Sequence, residues 1–103
     1  MKMLIAVTVA LAAASATADD YDYCAVLSLI AEKTMEERQN GVPMSRQLDT
    51  LSGYGSEVQE SIKPIILDAY SVQKFETTDF KRAAITDFGN QTMSSCYKVG
   101  ITI

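Results

Sequence analysis

The chain contains no histidine and no tryptophan, only two cysteines and two prolines, and nine lysines and arginines against thirteen acidic side chains. Each scarcity excludes something. Without histidine, no side chain titrates near neutral pH in its ordinary state. Acid–base chemistry would fall to carboxylates, lysines or tyrosines in unusual surroundings. Two distant thiols with no imidazole do not make a zinc site, so neither a metal nor a cofactor is expected. Arginine occurs only at 38, 46 and 82, which leaves no basic footprint for a nucleic acid. An anionic membrane surface is disfavoured for the same reason. A dithiol redox function would want a close pair such as Cys-x-x-Cys, and none is present.

What is present begins at the N-terminus. Lys2 precedes Met3 to Ala14, an apolar run broken only by Thr8, and Ala16-Thr17-Ala18 then offers small residues where a signal peptidase reads. The run is too short for a membrane anchor. The expectation is a secretory signal peptide over 1–18, cleaved near Ala18, followed by one domain over 19–103. That domain has 85 residues and a net charge of −5. The first cysteine lies six positions beyond Ala18, so neither lipid attachment nor stable membrane insertion is expected. The compartment is then the periplasm of a Gram-negative cell, or the exterior.

Cys24 and Cys96 are most simply one disulfide in such a compartment, a structural tie that closes nearly the whole domain. Loop entropy for a ring of this length is worth about 4 kcal/mol. Cys24 falls near the start of the first helix and Cys96 near the end of the last, so those two ends must meet.

The pattern between them is helical. Cys24, Leu27, Ala31 and Met35 recur at spacings of three and four, widened by Ile30 and Thr34, and predict a helix over Tyr23–Asn40. Lys33 and Glu37 can pair on its wet side. Asn40-Gly41 ends it, with glycine in the left-handed region and Pro43 preventing resumption. A short helix over Ser45–Leu51 follows, capped by Ser45 and turned inward through Met44, Leu48 and Leu51. Gly53-Tyr54-Gly55 stops it. A third stretch starts at Ser56 or Glu57 and carries Val58, Ile62, Ile65, Ile66 and Ala69 inward. Pro64 either kinks it or splits it, with Ser61 then capping the second half. The last helix runs from Thr78 or Thr77 to about Lys98, with Thr78 as cap and Asp79 in the first turn. Phe80, Ala84, Phe88 and Gln91 lie along one side of it, beside Ile85, Thr92 and Cys96. The fold class is all-α: a small disulfide-tied bundle of three to five helices, the first and last linked.

No residue set reads as catalytic. Glu32 and Glu36 share a helix side at the spacing of paired carboxylates, but solvated helices carry such pairs constantly. Ser94-Ser95 has no recognisable base. Gly53-x-Gly55 lacks the rest of a phosphate loop, and Asp19, Asp20 and Asp22 lack the spacing of a calcium loop. Binding is better served. Glu36-Glu37-Arg38-Gln39-Asn40-Gly41 concentrates polar groups at a turn, and Tyr54 sits between two glycines. Arginine and tyrosine are favoured interface anchors, so Arg38, Tyr54 and Tyr70 are the expected partner-binding residues.

Cys24, the run Met35 to Val42, the Ala69-Tyr70 pair and the closing Phe88, Met93, Cys96 and Tyr97 resemble a group of small exported one-disulfide helical proteins. These occur in Gram-negative bacteria and their prophages. The resemblance implies export and one helical domain, and brings no catalytic residues with it. In architecture the chain is also similar to periplasmic acid-stress chaperones and to helical immunity proteins that neutralise cell-wall amidases. The expected function is therefore a non-enzymatic, inhibitor- or immunity-type module that occludes another envelope or secreted protein. The alternatives are an acid-stress chaperone, and a hydrolase acting through Glu32 and Glu36.

Overall fold

The structure is a computed structural model that describes residues 23–99. The expected signal segment, the aspartates at 19, 20 and 22 and the tail from Gly100 lie outside the described residues. Among the described residues the chain is an all-α bundle of four helices: α1 over 23–39, α2 over Met44–Asp49, α3 over Ser56–Ser71 and α4 over Thr78–Val99. A 3-10 turn, Thr50–Gly53, extends α2.

α1 ends as its local sequence dictates. Gly41 has φ +89°, and its N–H donates to Arg38 O while the N–H of Val42 donates to Glu37 O. Those two bonds serve carbonyls that the last turn leaves without helical partners, in the pattern a left-handed residue makes possible. The following helix starts one residue before the expected Ser45. Pro43, extended at φ −66° and ψ 148°, stands at its N-cap, its carbonyl accepts from the amides of Arg46 and Gln47, and no side chain caps it. Proline fits there because its missing N–H is not needed.

α3 is one continuous helix through Pro64 rather than two. Ser61 caps no second half; its hydroxyl donates back to Glu57 O within the helix. Pro64 lies on the exposed side, where water reaches the carbonyl the proline cannot serve. Ile62, Ile65, Ile66 and Ala69 are buried at the expected helical spacing. Val58 is not, since at 41 % exposure it sits beyond the end of the core.

At the start of α4 the cap is Thr77, not Thr78. Its hydroxyl oxygen accepts from the amide of Phe80 at 3.1 Å, and Thr78 is the first helical residue. Phe80 was expected inside and is 60 % exposed, its ring 6.0 Å from that of Phe75. Gln91 is also exposed. The true inward pair on α4 is Phe88 and Gly89.

Contacts at the two ends of α1 fix the directions of the other helices. Tyr23 and Cys24 meet Ser61 and Cys96 at one end. Arg38 and Gln39 meet Val72 and Lys81 at the other. Hence α3 runs with α1, and α4 runs back against both. One apolar cluster, Ala31, Met35, Ile65, Ala69 and Phe88, joins α1, α3 and α4. A second, Leu51, Ile62 and Ile66, is covered by Met44 and Leu48 from α2. Cys24 and Cys96 form the disulfide across a Cα separation of 5.6 Å.

α1 and α4 come close together at Gly89. The Ser28 hydroxyl donates to Gly89 O at 3.0 Å, and a Cβ on Gly89 would lie 2.6 Å from Glu32 Cγ. Gly89→Ala should therefore destabilise by about 1–2 kcal/mol in urea unfolding, despite alanine's better helix propensity. Adding Glu32→Ala should restore most of that loss, because it removes the atoms in the way.

Candidate functional site

Of the polar run at the end of α1, Arg38 and Gln39 are turned inward, while Glu36 and Asn40 face solvent. The Arg38 Nε–H donates to Val72 O at 3.1 Å, and its guanidinium carbon lies 5.2 Å from the centre of the Tyr70 ring. The Tyr70 hydroxyl donates to Val42 O and accepts from Gln47 Nε2, which also donates to Thr34 O. Gln39, 1 % exposed, donates from its side-chain amide to Gln73 O at 2.9 Å and accepts from the amide of Phe75 at 2.8 Å. Lys81 Nζ completes the set by donating to Gln39 O at 2.8 Å. Together these contacts strap the 72–77 connector across the end of α1.

Of the three expected anchors, Arg38 and Tyr70 thus belong to one internal network, while Tyr54 stands apart and 55 % exposed. Arg38→Ala should cost about 1–2 kcal/mol of stability, from a hydrogen bond to a charged donor and a half-buried cation–π contact. Thermal melting of the isolated domain measures this, and an unchanged midpoint would return Arg38 to the role of a surface anchor.

Glu32 and Glu36 are placed differently from one another. Glu32 presses on Gly89, whereas Glu36 lies 3.6 Å from Lys33, which also reaches Glu37 at 3.4 Å. Lys33 holds its proton above the usual lysine range, chiefly through the hydrogen bond to Glu37 and then the charges of both glutamates. Among the described residues no three acidic, cysteine or histidine side chains come together as a metal cluster. No described helix is long and apolar enough to cross a membrane.

A concavity lies elsewhere. Among the described residues, α1, α3 and α4 enclose an open groove of about 570 Å³, within the size range of ligand-binding clefts. Leu27, Ile65, Val72 and Phe88 make its apolar floor. The walls are polar, with Ser61, Asp68 and Ser71 from α3 and Gln91, Thr92 and Ser95 from α4. The disulfide closes one end through Cys96, where Tyr23 donates or accepts a hydrogen bond with Ser61. None of Arg38, Tyr54 and Tyr70 lines this groove. Its residues could not be collected from the sequence, because the gap depends on how far α3 stands from α4. Ser28, Gln39 and Gly89 had a signal, since each continues a buried stripe, but polarity or lack of a side chain hid it.

Comparison with protein-family models, with curated proteins and with solved structures finds no match to this chain.

Proposed function

We propose that the domain is a non-enzymatic binding module that occludes a surface of another envelope or secreted protein, in the manner of an inhibitor or immunity factor. The observation that carries this reading is the groove: an apolar floor between two helices, open to solvent. Export to the periplasm or the exterior rests on the signal features of residues 1–18, and the Cys24–Cys96 bond supports it, as disulfides persist in oxidising compartments. So does the resemblance to small exported proteins of Gram-negative bacteria and prophages. The acid-chaperone alternative has less behind it. The buried polar side chains among the described residues are Ser28, Thr34 and Gln39, and none of them titrates to unlock the core.

The test places a photo-crosslinking side chain at Thr92 in the groove, and in a second protein at Thr86, which is exposed outside it. In envelope extract the groove position should trap one protein that the outer position does not. The trapped protein, once purified, should bind with at least tenfold weaker affinity when Ser95→Trp fills the groove. Equal trapping at both positions, or binding indifferent to Ser95→Trp, overturns the reading.

A further inference from the structure

We infer that the groove takes an α-helix of the partner, laid apolar side down, with a lysine or arginine of that helix set against Asp68. This rests on the binding-module reading and names what the module binds.

The shape is the first argument. On α3 the groove is lined by Ser61, Pro64, Ile65 and Asp68, the i, i+3, i+4, i+7 series of one helical face, which Ser71 continues. On α4 it is lined by Phe88, Gln91, Thr92, Ser95, Cys96 and Val99, a similar stripe running the opposite way. Each stripe covers two to three turns, about 11–16 Å. The backbones of α3 and α4 barely approach one another, although both pack on α1. A furrow between two antiparallel helices above a third is where a bundle seats a further helix. The serines and threonine on the walls let another backbone come near. The described residues contain no sheet edge, so an extended segment would find no ladder there to join.

Charge decides among occupants. Among the described residues Asp68 is the one charged side chain lining the groove, and it joins none of the ion pairs seen at Lys33 and Arg82. Lys63, five residues before it on α3, lines a second, smaller depression with Ser56, Gln59 and Glu60, which meets the groove at Pro64. Any occupant that covers the floor takes water away from the Asp68 carboxylate. That is costly unless a cation or hydrogen-bond donors replace the water. An uncharged acyl chain offers neither. Residues 100–103, Gly-Ile-Thr-Ile, carry no cationic side chain, and a second copy of the domain over 19–103 brings another net −5. A helix with an apolar face and a basic flank satisfies both floor and wall.

The probe is a synthetic amphipathic helix of about four turns, with leucines at i, i+3, i+4 and i+7 and lysines flanking them. A second version carries glutamates in place of the lysines. Each is titrated into the disulfide-bonded protein and followed by amide chemical shifts. The lysine peptide should shift groove amides, including Leu27, Ile65 and Ser95, and should bind at least tenfold more tightly than the glutamate peptide. Asp68→Asn should weaken the lysine peptide about tenfold and leave the melting temperature unchanged, because Asp68 is exposed and its carboxylate joins none of the ion pairs described. Equal binding of both peptides, unaffected by Asp68→Asn, overturns the charge match. Shifts in neither titration, or displacement of the peptide by self-association of the protein, overturn the helix as occupant. The binding-module reading is judged separately by the crosslinking experiment, which uses neither peptide.

Discussion

Cys24→Ala should lower the unfolding free energy by about 2–4 kcal/mol, and α4 should loosen first. The size comes from ring length. The bond joins residues 72 positions apart, and releasing such a ring returns about 4 kcal/mol of chain entropy to the unfolded state. The order comes from packing. α2 and the turn after it hold α3 through Met44, Leu48 and Leu51 against Ile62 and Ile66, whereas α4 lies outside that second cluster. It is held through Phe88, the Gly89 contact, the Lys81 strap and the disulfide. Hydrogen exchange should therefore show amides of the C-terminal half of α4 losing protection while those around Ile62 and Ile66 keep theirs. The variant leaves Cys96 as a free thiol, so the double variant Cys24→Ala/Cys96→Ala belongs beside it. If both lose less than about 1 kcal/mol, ring closure is not what holds the two ends of the bundle together. If peptide binding in the groove survives the same substitution, Cys96 is a wall of the groove and not its clamp.

How much of this was legible in the sequence follows from how local each signal is. The Asn40-Gly41-Val42-Pro43 stop was legible because a left-handed glycine and a following proline act through their own backbone. The disulfide was legible because a chain with two cysteines has only one internal pairing. The helix faces were read correctly near their centres and wrongly at their ends. Val58 and Phe80 keep the period of the stripe, yet the opposing helix is no longer opposite them, and periodicity has no knowledge of where a neighbour stops. Thr77 and Thr78 are chemically equivalent caps, and only the phase of the helix separates them. Ser28 and Gln39 were passed over because they are polar, although they complete the series Cys24, Ser28, Ala31, Met35, Gln39 at spacings of four, three, four and four. Gly89 lies two turns before Cys96, on a helix whose register against α1 the disulfide already pins. Arg38 and Tyr70 were singled out for the right property, strong directed hydrogen bonding, but whether such a group points inward depends on the 72–77 connector that crosses it. The groove is the least local feature of all, being the distance between two helices that have no direct sequence relation.

That buried glutamine yields the second large effect. Gln39→Met, which keeps the length of the side chain and removes its amide, should destabilise by about 2–4 kcal/mol. In the native domain its amide nitrogen donates to Gln73 O and its carbonyl oxygen accepts from the N–H of Phe75, two bonds from one side chain to the connector. Methionine fills the space but answers neither, and each buried group left without a partner costs about 1–3 kcal/mol. Relief through water is limited on the side of Phe75, which is half-buried, and easier at Gln73, which is exposed. The loss should accordingly fall most heavily on the Phe75 amide, whose exchange should accelerate by more than the global destabilisation explains. Gln39→Glu separates the two bonds. Its carboxylate can still accept from Phe75 N–H, but it cannot donate to Gln73 O and it brings a charge into a site that is 1 % exposed. It should be worse than methionine at neutral pH and recover part of the difference as acid protonates the new carboxyl group, which then regains a donor. If Gln39→Glu instead matches the parent at neutral pH, the strap is carried by Arg38 and Lys81, and the glutamine is only a passenger between them.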